Sequence, residues 1–426
     1  MSEMNRVFIT GLSALTASGA TAEDNWAAVL AGESGIDEIK QWDLSTWTHR
    51  LGGEIKDYQP AKMLPDRKLM KVISRQDVLG INVAVQAVEH SQLMSYRETL
   101  ESADVFNDET AVFVGSPGNK YYQQYDFLPL IAKTNGDMQA FATELFSEVH
   151  PTWLLRILPN NVLAYTGIHY GFTGVNHNIA NHAVGGMQAL IEAYQSVKHG
   201  QAARAVVVSY DVGTEPQALF YYEKLGVLSA QHLKPFDADQ DGTIMAEGAA
   251  AFVLESEASA RERGAVCYGE IVSGMSATEA AGLFSIEPDG EQLAALVQRT
   301  LEAAEITPEE VGMVVAHGNG NQKSDVSEAH AVHHVFGEYP VPVTAFKWAM
   351  GHTICASGVL DAVLATLSLQ KKCVPGIANL DQLTPDCMGL NAHHQTRPLA
   401  ADKPYALVIN RGFASMNACL VIKSCA

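Results

Sequence analysis

Short apolar runs alternate along the chain with stretches of helical period. NRVFITGL (5–12) reads as a strand that ends at Gly11, and Thr21 and Asp24 form a capping-box pattern ahead of the helix NWAAVLAG. ETAVFVGSPG (109–118) reads as a buried strand running into a Gly/Pro turn. Positions 185–198 place apolar residues at helical spacing, and ARAVVVSYD (203–211) is again strand-like. AEGAAAFVLE (246–255) and the helix SEASARERG close this block. A similar order then restarts: VCYGEIVSGM, a helix over 289–305, the strand GMVVAH, a helix over 325–336, the strand VPVTAFK, a helix over 355–370, and two terminal strands, YALVIN and NACLVIK. Buried strands between helices predict an α/β protein, because each sheet face needs a helix layer to cover it. The order occurs about twice, which predicts an internal duplication with halves 1–257 and 258–426. Such folds bind ligands at strand ends. His317 and Lys347 fall at predicted strand ends, and Ala183 falls just before a predicted helix.

Composition narrows the classes of function. The chain has 426 residues, 47% hydrophobic and 18% charged, with a net charge of −20. An acidic surface repels nucleic acid and anionic membrane, so neither is expected as a partner. No stretch approaches a spanning length of apolar residues, and the start MSEMNRVFITGL lacks a basic segment ahead of an apolar one. The six cysteines show no C-x-x-C spacing and none precedes Cys267, a usage that fits reduced thiols in a cytoplasm. Asp237, Asp239, Asp241 and Gly242 imitate the opening of a calcium loop, but its twelfth position is Gly248 rather than Glu; no metal site is expected. Cys355 is expected to be a buried free thiol, and His333 and His334 to face solvent from a helix.

The motifs with chemical content come in a fixed order. They are VFITGLSALTASG near the start, PFDADQDGTIMAEGAAAFVLE (235–255), AHGNGNQKSDVSEAHAVHHVFG (316–337), FKWAMGHT (346–353) and GFASMNA (412–418). Together, and over essentially the whole length, they resemble the β-ketoacyl-acyl-carrier-protein synthases, condensing enzymes of the thiolase-like fold with duplicated αβ halves in αβαβα layers. The resemblance implies decarboxylative Claisen condensation of acyl and malonyl groups held on an acyl carrier protein, in fatty-acid or polyketide synthesis. In that chemistry a cysteine at a helix start takes the acyl group, because the helix end favours its thiolate. Two histidines then stabilise the enolate left when malonyl loses CO2. The resemblance assigns those histidines to His317 and His352. It assigns Lys347 to a charge network with Asp325 and Glu328, the oxyanion hole to the backbone N–H groups of Ala183 and Phe413, and the wall of the phosphopantetheine tunnel to Asn319 and Asn321. The phosphopantetheine arm arrives on the carrier protein, so no cofactor of the chain's own is expected. A dimer, homomeric or with another ketosynthase-like chain, is implied as well.

The chain departs from the family at the decisive place. In GVNHNIANHAVGGMQAL (174–190) the nucleophile position is Ala183, whose methyl cannot form a thioester. Asn181 replaces the usual Thr, Asn319 and Asn321 replace Thr, Arg411 stands where an aromatic is common, and GFASMNA lacks two glycines of the gating turn. Three readings follow. In the first, which the intact histidines, lysine and carboxylates favour, the natural protein has cysteine at 183 and this chain is a trapped form, an acyltransferase unable to condense. In the second, the chain is a natural non-catalytic subunit like a chain-length factor. In the third, it only decarboxylates malonyl-carrier. A docking surface for the acidic carrier is expected in PDRKLMKVISRQ (65–76), with Arg67, Lys68, Lys71 and Arg75 mainly on one helical face.

Overall fold

The computed structural model describes residues 4–118, 122–149, 151–337, 339–387, 389–413 and 415–425; Ala414 of the GFASMN turn lies outside them. Ten strands form one mixed sheet: β1 (Val7–Thr16), β2 (Thr110–Gly115), β3 (Asn176–Ile179), β4 (Arg204–Val212), β5 (Glu247–Ser256), β6 (Gly269–Thr278), β7 (Val311–Val315), β8 (Val343–Thr344), β9 (Tyr405–Gly412) and β10 (Met416–Lys423). Their spatial order is β8-β7-β9-β10-β6-β1-β5-β4-β2-β3. The order reads the same from either end. β3, β2 and β4 run parallel, then β5 and β1 alternate in direction; β8, β7 and β9 run parallel, then β10 and β6 alternate. The halves meet where β1 pairs antiparallel with β6, Val7 opposite Ile271 and Ile9 opposite Gly269. β2, β4 and β5 are buried at every position, which is why they read as continuous apolar runs and not as alternating ones.

Six helices bear on the site: α1 (Ala22–Ala31), α2 (Arg75–Ser91), α3 (Gly185–Lys198), α4 (Glu291–Ala303), α5 (Gln322–Phe336) and α6 (Ser357–Lys371). Thr21 and Asp24 form the predicted capping box of α1. α2 packs on β1, β4 and β5; α4 packs on β6 and β10; α3 and α6 touch each other and strands of both halves. Being covered on all sides, α6 is buried without a break from Ser357 to Leu369. The stretch Ile354–Lys371 is apolar and long enough to cross a membrane, but 89% of it is inside the protein, as befits a core helix. Each of these central helices is entered through a three-ten turn, His182–Val184 before α3 and Ile354–Ala356 before α6. The first residue of each turn is left-handed at the same angle, φ 47° for both His182 and Ile354.

Three expectations are corrected. β1 does not end at Gly11 but bulges there and continues to Thr16. Glycine is needed for close approach, since a Cβ would stand 2.5 Å from the carbonyl of Ala87 in α2. The basic segment 65–76 is not one helix: Arg67–Lys71 is a three-ten turn, and α2 begins at Arg75 with Ser74 as its cap. Arg67, Lys68 and Lys71 are exposed, but Arg75 turns inward, makes two bonds of 2.7 Å to the buried Glu247, and stacks over Tyr58. Finally, not all cysteines are thiols, because Cys267 and Cys425 form a disulfide. Cys355 is buried, and His333 and His334 are exposed, as predicted.

Candidate active site

Strand ends and the two central helix starts converge on a cavity of about 360 Å³, whose lining includes His182, Ala183, Tyr222, His317, His352 and Phe413. Ala183 is fully buried at the start of α3. A Cβ added to Gly412 would stand 3.5 Å from its methyl, so position 183 lies against the turn that carries Phe413. Beside it, the left-handed backbone of His182 sends the ring into the cavity. Its Nε2 is 2.9 Å from the Tyr222 hydroxyl and its ring centroid 4.8 Å from that of Phe413; Nδ1 is buried with no hydrogen-bond partner among the described residues. Burial pushes the imidazolium of His182 down to about 4, leaving the ring neutral at pH 7.

His317 and His352 face each other edge to face, centroids 5.2 Å apart. Each is pushed well below the ordinary range, first by burial and then by the charge of Lys347. His352 Nδ1 accepts the N–H of Ile354 at 3.2 Å, which leaves Nε2 as the proton-bearing nitrogen. The loop after β7 is held from behind by α5. Glu328 accepts the N–H groups of His317 at 2.7 Å and Gly318 at 3.0 Å, and Asp325 accepts those of Asn319 at 3.1 Å and Phe236 at 2.9 Å. Gly318 must be glycine: it sits at φ 42°, and a Cβ would come within 2.6 Å of Ala345. Burial drives the Asp325 carboxyl up to about 7 against those donors, and raises Glu328.

Lys347, Asp325 and Glu328 are thus near one another, but not joined as predicted. The lysine ion pair is with Asp361 of α6, at 2.7 Å, both groups buried; Asp325 and Glu328 bind backbone. Arg411 is buried too. Its guanidinium donates to Glu279 at 2.6 Å, the Ser324 carbonyl at 2.8 Å, Asn417 at 3.0 Å and the Ser327 hydroxyl at 3.2 Å. Glu279 in turn accepts the N–H of Glu287 at 2.9 Å, and Ser415 donates to the Ser285 carbonyl at 2.8 Å. The loop carrying Phe284 is therefore tied to the turn carrying Phe413. Asn319 and Asn321 line the cavity, whereas Asn181 bonds Gln188 at 2.8 Å. Asp237 accepts the N–H groups of Asp239, Asp381 and Gln382, the work of a structural turn. Sequence reasoning missed His182, Tyr222, Glu279 and Asp361. Only His182 carried a signal, its place next to Ala183.

Two facing imidazoles and a buried lysine–aspartate pair thus lie with the start of α3 around one cavity of a thiolase-like fold. The chain belongs to the beta-ketoacyl synthase family: the N-terminal domain of that family matches residues 4–260 and the C-terminal domain residues 268–381. It is 28% identical to the 3-oxoacyl-[acyl-carrier-protein] synthase 2 of Synechocystis sp., over 99% of this chain and 98% of that one, and 26% identical to the enzyme of the same name from Vibrio cholerae, over 98% and 99%. Among solved structures, the ishigamide ketosynthase/chain length factor superposes with a TM-score of 0.88 at 23% identity, covering 99% of this chain and all of that one. A beta-ketoacyl synthase from Burkholderia phymatum gives 0.86 at 22%, with the same coverage. At these identities the structures speak for the fold.

Proposed function

We propose that this chain is the nucleophile-free member of a ketosynthase pair: it receives the phosphopantetheine arm of an acyl carrier protein and shapes the tunnel of a cysteine-bearing partner. One observation carries the reading. The missing sulfur is not an isolated change. Asn319, Asn321 and Arg411, three of the departures, line the same cavity as Ala183; Arg411 is tied there to Glu279 and Asn417, and Asn319 lies 3.3 Å from His317. A cysteine replaced by alanine in an otherwise active enzyme would leave those neighbours in the family's form.

The retained His317, His352 and Lys347–Asp361 pair favours the alternative, a trapped condensing enzyme. One substitution separates the two. On the proposed reading, Ala183→Cys gains no acyl mass from acyl-carrier when alone. Native mass spectrometry of the parent chain with a ketosynthase of the same source shows a one-to-one complex, and condensation needs both chains. An Ala183→Cys protein that is acylated and condenses with malonyl-carrier by itself would return the chain to the trapped-enzyme reading.

A further inference from the structure

We propose that His182 is a specificity-determining residue: its ring stands in the opening between the cavity and position 183, so that a thioester bound in the cavity stops short of that position. Ala183 lines the cavity, yet it is wholly buried. Its neighbours show what covers it. One is the turn carrying Phe413, where a Cβ added to Gly412 would stand 3.5 Å from the Ala183 methyl. Another is Tyr222, which packs on the apolar cluster that holds Ala183, Leu219, Met245 and Ile354. The His182 ring joins both in a triangle of rings. Its centroid lies 4.8 Å from that of Phe413 and 6.2 Å from that of Tyr222, and those two are 5.8 Å apart. All three rings line the cavity together with Ala183.

The ring is fixed where it stands. Its Nε2 is 2.9 Å from the Tyr222 hydroxyl, and the left-handed backbone at φ 47° sets the direction in which the side chain leaves. Burial keeps the imidazole neutral, so no charge draws it out to water. Nδ1 is buried with no partner among the described residues, which costs free energy. Packing and the one bond to Tyr222 therefore hold the ring, and removing it would leave a gap of ring width beside position 183. The missing sulfur is then one of two barriers. A thioester that reaches His317 and His352 is held off position 183 by His182, and a sulfur restored at 183 alone remains out of its reach. The inference deepens the reading above and rests on it for the ligand, an acyl thioester on a carrier protein.

The test needs neither carrier nor partner chain. Ala183→Cys, alone and combined with His182→Ala, is treated with iodoacetamide at pH 8, and labelling at 183 is timed by peptide mass spectrometry. The rate should rise at least about tenfold once the ring is gone. Cys355, buried in the other three-ten turn, is the internal control and should stay unlabelled in both proteins. A thiol at 183 that reacts as fast beside His182 as without it overturns the proposal. So does a gain matched at Cys355, which is the mark of a loosened fold. Should His182→Ala not fold, Tyr222→Phe with Ala183→Cys decides, since it keeps both rings and removes the hydroxyl. Labelling at 183 should then quicken about fivefold, the worth of one neutral hydrogen bond; an unchanged rate overturns the proposal. Acylation is read separately. Faster labelling of the doubly substituted protein, followed by acylation and condensation without a partner, would retire the pairing and leave this inference standing. Equal labelling rates with no acylation would retire this inference and leave the pairing standing.

Discussion

Asp211 accepts the N–H groups of Val212 and Cys355, yet burial outweighs both and pushes its carboxyl up to about 7. A carboxyl raised by folding binds its proton more tightly folded than unfolded. Stability therefore falls as pH rises from the unfolded value, near 4, toward 7, and is level above that. Asp211→Asn removes this slope. Measured by urea unfolding, the variant should gain on the parent by roughly 1.4 kcal/mol for each pH unit climbed between about 5 and 7; parallel pH curves would contradict it. A second residue-scale outcome concerns Lys347. Its ammonium and the Asp361 carboxylate are both buried, so Lys347→Met strands a charge and should cost about 3–5 kcal/mol in the same assay at pH 7. At this scale the meeting of Ala183, His317 and His352 around one cavity was legible because these residues sit inside ordered motifs. Asp361 was not, since nothing in a sequence pairs position 347 with a residue fourteen further on, on the next helix.

Elements were legible where periodicity is strong and blurred where it changes. The limits of α3 follow directly from its apolar spacing, and the two terminal strands fall where their runs predict. The edge strand β3, NHNI, was missed because its polar residues give no strand signal. The basic segment failed for a different reason: charges spaced for a helix say nothing about the break at Val72–Ser74 that divides a three-ten turn from α2. That break splits the docking prediction. Lys68→Glu with Lys71→Glu should weaken carrier binding at low salt and less so at high salt, as a titration at two ionic strengths would reveal. Arg75→Ala should act on folding instead, lowering stability by about 3 kcal/mol or more by stranding the buried Glu247. Equal loss of carrier affinity from Arg75→Ala in a protein of unchanged stability would reverse this division.

At the scale of the molecule, the duplicated order of elements visible in the chain corresponds to a sheet that reads alike from both ends, and the two central helices begin in matching turns. The match gives the molecule a mirror address for every site position. The counterpart of Ala183 is Cys355, each following a residue at φ 47°. Backbone geometry alone thus prepares two seats for a sulfur, and this chain has put its sulfur in the other one. There it is walled in: burial pushes the Cys355 thiol up to about 12, and its Sγ lies 3.6 Å from Ser209 Oγ. Folded protein treated with iodoacetamide at pH 8 should carry no label at Cys355 by peptide mass spectrometry, and unfolded protein should be labelled there fully. A repeated architecture can thus keep one backbone form in both copies and give them different surroundings: one seat opens on the cavity, the other holds a sulfur closed off inside the core.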